Sequence, residues 1–330
     1  MAEGCTEPHI GHGKIILFGE HAVVHGCPAL AMALPRGASA RASVATEDRL
    51  HLMPFDTHVR LSGDAQPKNA AGDGSAEQPG PSEHGAKLRA ALADALAETP
   101  RDRPKLAIEA ELHVPAGAGL GASAALSVAV IRAIDAALGR ARSDPDMVAA
   151  SLRWERAFHG NPSGVDSAMA THGGVALYRK GEPLAQVPVV TPPPLIVAYS
   201  GHAPSTKAMV DSVARQLERD PERIRGTFEG IEAIVNNGRT ALELGDFRRL
   251  GQLMTLNQQL LNTLLLSTTQ LEVLCRAAMD AGALGAKLTG GGGGGCMIAV
   301  CEDWDAAERV RARLSEFDPD AFVVGAGATP

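Results

Sequence analysis

Apolar positions along the chain follow two rhythms. Residues 13–19 (GKIILFG) form a short apolar run closed by glycine, the pattern of a buried strand. ALAMAL (29–34) and the alternating ASARASVAT (38–46) extend a β-rich start. The pattern then predicts a helix at 87–98, a strand at 105–114 ended by Pro115, and helices at 121–138 and 145–158. In the first of these two, Leu126, Val130, Ile131, Ile134 and Leu138 recur close to helical spacing. After GGVALY (173–178) helices dominate, at 206–219, 221–244, 246–266 and 268–282. Strands near 285–289 and 295–301, a helix at 304–316 and a strand at 320–324 close the pattern. Helices interleave with paired strands and no βαβαβ rhythm establishes itself, so the class predicted is α+β.

Two stretches interrupt these rhythms. Residues 62–86 are crowded with Gly, Pro, Asp and Ser and predict a flexible surface loop. The proline-rich 188–194 predicts a boundary between domains at 1–187 and 188–330, a division that the length of 330 residues allows. Composition, at 45% hydrophobic and 21% charged, is that of an ordinary globular protein. The net charge is −7, and no run of Lys or Arg offers a nucleic-acid or membrane surface. An acidic chain can still hold phosphates, because backbone NH groups and one or two placed cations suffice. The five cysteines form no CxxC pair, MAEGCTEPHIGHGK lacks an apolar core, and no 18 apolar residues run together. Reduced thiols and a cytoplasmic location are expected.

Four stretches carry candidate chemistry. In PAGAGLGASAAL (115–126), glycines at 117, 119 and 121 let backbone approach a ligand, and the following helix aims unsatisfied NH groups at it. A polyphosphate fits that arrangement, with Ser123 placed to touch a metal or a phosphate oxygen; a tightly packed Gly-rich turn would read the same. GxxxxGK[ST] is absent, and GxGxG is not the Rossmann spacing. In GKIILFGEHAVVHG (13–26), Lys14 enters an apolar strand that ends in Glu20 and His21. Its ammonium needs an anion or a route to solvent. In WERAFHGNPSGVDSAMATHGG (154–174), NPSG should break the chain and start a helix near Val165. Asp166 then stands in a first turn, either as a helix-stabilising acid or as a carboxylate over a reacting group, with Glu155 on the preceding helix. In KLTGGGGGGCMIAV (287–300), six glycines between strands are costly to order, which predicts backbone lining a substrate or phosphate pocket.

Together these stretches resemble, in order and spacing, the three signature motifs of the GHMP kinase superfamily. GEHAVVHG and HGNPSGVD are most similar to those of its mevalonate kinases. The resemblance implies a two-domain α+β fold with the active site in the interdomain cleft. It implies ATP-dependent phosphorylation of the 5-hydroxyl of (R)-mevalonate, with Mg2+. Carried over by position, Lys14 and Asp166 would flank the reacting hydroxyl. Ser123 and Glu155 would hold Mg2+. Pro115, Gly117, Ala118, Gly119, Leu120, Gly121, Ala122, Ser123 and Ala124 would wrap the nucleotide's phosphates. Glu20, His21, Thr206, Gly291 and Gly292 would lie on the substrate side.

Three positions depart from the family pattern. His12 stands for the usual proline, Ala122-Ser123 for paired serines, and Pro204 where eukaryotic members place an arginine. The last leaves Lys207 or His21 to meet the substrate carboxylate. Another GHMP kinase, for a phosphorylated mevalonate or a sugar, and a silent ligand sensor on the same fold are the alternatives. A homodimer is left open; no nucleic acid or membrane is implied.

Overall fold

The computed structural model describes residues 7–61, 83–158, 162–202 and 206–324. Strands β1 (His9–Phe18), β2 (Ala29–Ala45), β3 (Arg49–Met53) and β4 (Thr57–Arg60) open the chain, with a 3-10 turn at Ala22–His25. Next come α1 (Glu83–Ala97), β5 (Lys105–Leu112), α2 (Ala122–Ala137), α3 (Asp144–Arg156) and α4 (Val165–His172). Three strands follow, β6 (Val175–Tyr178), β7 (Ala185–Gln186) and β8 (Leu195–Tyr199). Helices α5 (Thr206–Arg219), α6 (Pro221–Leu244), α7 (Phe247–Thr263) and α8 (Thr269–Asp280) fill the second half. The chain ends on β9 (Gly285–Thr289), β10 (Cys296–Val300), α9 (Trp304–Leu314) and β11 (Phe322–Val324). Among the described residues, no helix is long and apolar enough to cross a membrane.

The predicted class and most elements match; the main differences are these. ALAMAL and ASARASVAT are one strand, β2, which runs on through exposed Pro35 and Arg36, pairing with β6 before them and with β5 after them. The β3–β4 hairpin went unread, since each strand is only four or five residues long and mixes His and Arg with its Leu and Val. Strand β8 hid behind the prolines of 188–194. Residues 83–86, expected as loop, begin α1, and the rest of that expected loop, 62–82, lies outside the described residues.

Contacts divide the chain into two compact units. One takes the chain up to Gly11 with Gly37–His113 and Ser123–Pro162; the other takes His12–Arg36, Val114–Ala122 and everything from Ser163 onward. This division follows contacts rather than chain order, and 188–194 lies inside the second unit.

In the first unit, residues 38–45 of β2 pair antiparallel with β5, β5 pairs parallel with β3, and β3 pairs antiparallel with β4. Asp48, in the turn between β2 and β3, ties these strands together. Its carboxylate accepts from both Nη1 and Nη2 of Arg103 (2.7 and 3.1 Å), from Lys105 Nζ (3.1 Å) and from the Leu106 amide (3.0 Å). Burial alone would raise this carboxyl's pKa, but Arg103, the Leu106 amide and Lys105 outweigh it and hold the pKa below the usual value.

In the second unit, residues 29–32 of β2 pair with β6, and β6 with β7. A separate antiparallel sheet runs in the order β11-β8-β10-β9. Strands β8, β9 and β10 are covered almost throughout, which is why LIVAY and CMIAV read as continuous apolar runs. Phe18, Leu30, Ile231, Leu261, Leu288 and Ile298 are among the side chains of its core.

Replacing Asp48 by Ala strands the Arg103 guanidinium, and the expected loss is about 3 kcal/mol in denaturant unfolding. With a folded pKa below the unfolded value of about 3.9, this stabilisation is present above that pH. It disappears as the pH falls through the folded value, so wild type should lose the increment in acid while Asp48→Ala, lacking it, should not.

Candidate active site

The second unit gathers Lys14, the glycine turn and Asp166. Lys14, on β1, is 5% exposed, and an ammonium so deep must be satisfied by protein groups. Its Nζ donates to the Gly119 carbonyl at 3.1 Å and pairs with Asp166 Oδ1 at 3.0 Å, while its amide donates to the Leu120 carbonyl at 2.9 Å. The turn owes its shape to an alternation visible in PAGAGLGA. Ala118 and Leu120 are buried in the core, which turns the intervening glycine backbone toward Lys14. Gly121 has a φ of +73°, and a Cβ there would come within 3.1 Å of Lys14 Cγ and 3.6 Å of Asp166 Oδ1. Only glycine fits beside the pair.

Asp166 stands where the sequence predicts, in the first turn of α4 behind Gly164, whose φ is +92°. The Tyr178 hydroxyl, on β6, donates to the Ser163 carbonyl and fixes the approach to that turn. The Asp166 side chain is 29% exposed, so one side of the ion pair stays open to an incoming group.

Glu20 and His21, expected on the substrate side, meet β9 and the hexaglycine segment that follows it, respectively. Glu20 is fully buried and forms an ion pair with Lys287 on β9, also fully buried; Lys287 Nζ donates as well to the Leu288 carbonyl at 2.5 Å. Burial pushes the Glu20 carboxyl up and the Lys287 ammonium down, and their contact opposes both shifts. Glu20 Oε2 is buried without a hydrogen-bond partner. His21, at a φ of +58°, sets its Nε2 2.8 Å from the Gly291 carbonyl. Burial lowers its pKa, so a neutral ring donates that bond.

Thr289 Oγ1 accepts from the Ile16 amide at 2.9 Å and donates to the Ile16 carbonyl at 3.0 Å, pinning β1 to the end of β9. A Cβ on Gly290 would lie 3.3 Å from the Gly119 carbonyl oxygen, so the two glycine segments meet backbone to backbone. Gly292 packs on Leu266, where a Cβ would come within 2.5 Å of the carbonyl oxygen. The hexaglycine is thus dictated at least partly by packing within the unit.

Ser123 and Glu155 belong to the first unit. Ser123 follows Pro115–Ala122 directly and lies, with Ala124, in the first turn of α2, which carries no acidic residue to compete with an anion. Its hydroxyl is buried and meets no hydrogen-bond partner. Glu155, in the last turn of α3, is 2% exposed. A buried carboxylate and an orphaned hydroxyl are the hard oxygen donors that Mg2+ takes, so these residues fit the ion. Thr206 begins α5, but its side chain, like 159–161 and 203–205, lies outside the described residues; Lys207 is exposed.

Sequence reasoning missed Lys287, Thr289 and Tyr178. Lys287 carried a usable signal, because the argument applied to Lys14, a cation inside an apolar strand, applies equally to KLT. Nothing local distinguishes Thr289 or Tyr178.

Lys287→Met leaves Glu20 buried without its cation and should cost about 3–5 kcal/mol in unfolding free energy. Adding Glu20→Leu should recover most of that loss, because it removes the stranded charge. A double variant no more stable than the single one would mean that the pair does not act as a unit.

The chain is similar along most of its length to known proteins. Residues 87–174 match the family described as GHMP kinases N terminal domain, and 239–320 match GHMP kinases C terminal. A mevalonate kinase of Pyrococcus abyssi is 35% identical over 297 residues, covering 87% of this chain and 86% of that protein. One from Methanothermobacter thermautotrophicus is 33% identical over 288 residues, covering 87% and 88%. The crystal structure of L. major mevalonate kinase in complex with R-mevalonate superposes with a TM-score of 0.77 at 27% identity, over 96% of this chain and 94% of that one. The chain belongs to the GHMP kinase family, and mevalonate kinases are among the relatives it matches there.

Proposed function

We propose that this protein is a mevalonate kinase, transferring the γ-phosphoryl group of ATP to the 5-hydroxyl of (R)-mevalonate. The observation that carries the reading is the Lys14–Asp166 pair, 3.0 Å apart with its carboxylate partly open, set against the Gly119–Gly121 turn. The 33–35% identity to mevalonate kinases over most of the chain supports the substrate. The division of the chain at 187/188 and a cytoplasmic location belong to the same proposal; the two family matches, at 87–174 and 239–320, fall on either side of that boundary.

Phosphoryl transfer asks the protein for position and charge rather than covalent chemistry. Asp166 orients the hydroxyl and takes its proton on a carboxylate oxygen. Lys14 holds that carboxylate in place, and its positive charge lowers the hydroxyl's pKa. Backbone NH groups at the start of α2 bind the phosphate oxygens, aided by the helix dipole. Bound Mg2+, held by Ser123 and Glu155, would neutralise charge on the β- and γ-phosphates. His21 and the glycine backbone at 291–292 lie toward the substrate, beyond the Gly119–Gly290 contact.

Asp166→Asn keeps the shape and removes the base, so kcat should fall by roughly 10²–10⁴ with nucleotide affinity nearly unchanged. ADP release is measured with MgATP and mevalonate, phosphomevalonate, galactose or homoserine in parallel. Turnover with mevalonate alone supports the proposal. Turnover with another acceptor moves the substrate assignment, and tight ATP binding without turnover on any of them points to a sensor. Equal losses of ATP affinity and turnover in Asp166→Asn would make Asp166 structural.

A further inference from the structure

A second group of chemistry-bearing side chains lies in the first unit, on the β3–β4 hairpin. Register sets His51 on β3 directly opposite His58 on β4 and, on its other side, beside Glu109 on β5. Directly opposed residues point from the same face with their Cβ atoms about 4.5–5.5 Å apart. Glu109, His51 and His58 therefore form one row. The hairpin turn folds Asp56, at a φ of +48°, back over it.

Asp56 Oδ1 lies 3.0 Å from His51 Nε2 and 3.1 Å from His58 Nε2, while His51 Nδ1 lies 2.8 Å from Glu109 Oε2. The two rings stack, with centroids 4.1 Å apart and planes 8° from parallel. Among the described residues, this is the one trio of His, Cys, Asp or Glu whose ligand atoms all lie within 4.8 Å of one another.

We propose that His51, His58 and Asp56 form a binding site for a divalent transition-metal ion of the zinc class, with Glu109 holding His51 in ligating orientation. Two imidazole nitrogens converge on one carboxylate oxygen, which without a metal requires a proton on each. A metal replaces those protons and takes Nε2, Nε2 and Oδ1 as ligands. His51 keeps the Nδ1 proton donated to Glu109, the carboxylate–histidine arrangement that fixes a ligating tautomer. Two imidazoles and one carboxylate suit zinc, nickel or cobalt and leave a position for water, whereas Mg2+ prefers oxygen donors.

The stacked rings aim their lone pairs side by side, so binding needs the His58 ring to turn toward its partner. That side chain is 62% exposed and has room to do so. Arg49 and Arg60, one opposed pair along the strands, add positive charge nearby. Glu47 pairs with Arg60 at 3.4 Å, and Asp56 and Glu109 offset the remainder. A bound ion would clasp the hairpin turn to both its strands and, through Glu109, to β5.

The test uses the full untagged chain, stripped by chelator and titrated with zinc by calorimetry in excess Mg2+ and without nucleotide. Cobalt serves as a visible-absorption probe in a parallel titration. We expect one equivalent bound, with proton release, and affinity at least about tenfold weaker in His58→Gln and Asp56→Asn. Glu109→Gln should weaken binding roughly 10–100-fold. At equal concentration zinc should raise the Tm of wild type more than that of His58→Gln, the metal-free Tm values being alike because His58 and Asp56 are exposed. Absence of saturable binding, or equal binding in wild type, His58→Gln and Asp56→Asn, would overturn the proposal and leave the row a solvated charge ladder. None of these readouts depends on the phosphoryl-transfer assignment.

Discussion

An ammonium taken out of water must find its compensation in the protein, and Lys14 sets the terms for the glycine-turn side of the second unit. Partners of Lys14 come from two places in the chain: the glycine turn, whose Gly119 carbonyl takes the ammonium and whose Leu120 carbonyl takes the Lys14 amide, and the Asp166 carboxylate. Satisfying them brings β1, the glycine turn and the start of α4 within hydrogen-bond reach of one side chain. The glycine at 121 follows from that convergence, because any side chain there would occupy the space of the pair.

The unit holds a second buried cation with the opposite character. Lys287 and Glu20 are both fully covered, whereas the Asp166 side chain keeps 29% of its surface open. Desolvation is costly for either pair, but only the open one leaves carboxylate surface within reach of an incoming group. The sealed pair, together with the Thr289 bonds to Ile16, fixes the hexaglycine segment against the first motif. One lysine thus works at an edge and the other as an anchor, a difference of burial rather than of residue type.

In the first unit, charge is handled at the surface and at buried carboxylates, Asp48 and Asp135 among them. Asp48 draws together a guanidinium, an ammonium and a backbone amide where β2, β3 and β5 meet. A few residues on, the same sheet presents its exposed row of imidazole and carboxylate groups. The sheet supplies the spacing in both cases, because strand register decides which side chains face each other.

Much of this was written locally. The α+β class, the long helices α5 and α6, the helix start that places Asp166, and the Gly-apolar alternation at 115–121 all depend on near neighbours in sequence, where periodicity and chain-breaking residues act directly. The short strands β3, β4 and β8 were not legible, because four or five residues carry too little pattern to outweigh flanking Pro, Gly or charge. Partnerships across the chain lay further out of reach. That Lys287 belongs to Glu20, Thr289 to Ile16, Tyr178 to the Ser163 carbonyl, and His51 to His58 and Glu109 follows from strand register and loop closure. By itself the sequence determined which residues carry charge and where the backbone can turn. Tertiary structure alone decided which charges are sealed and which stay open, because burial is a property of everything packed around a residue.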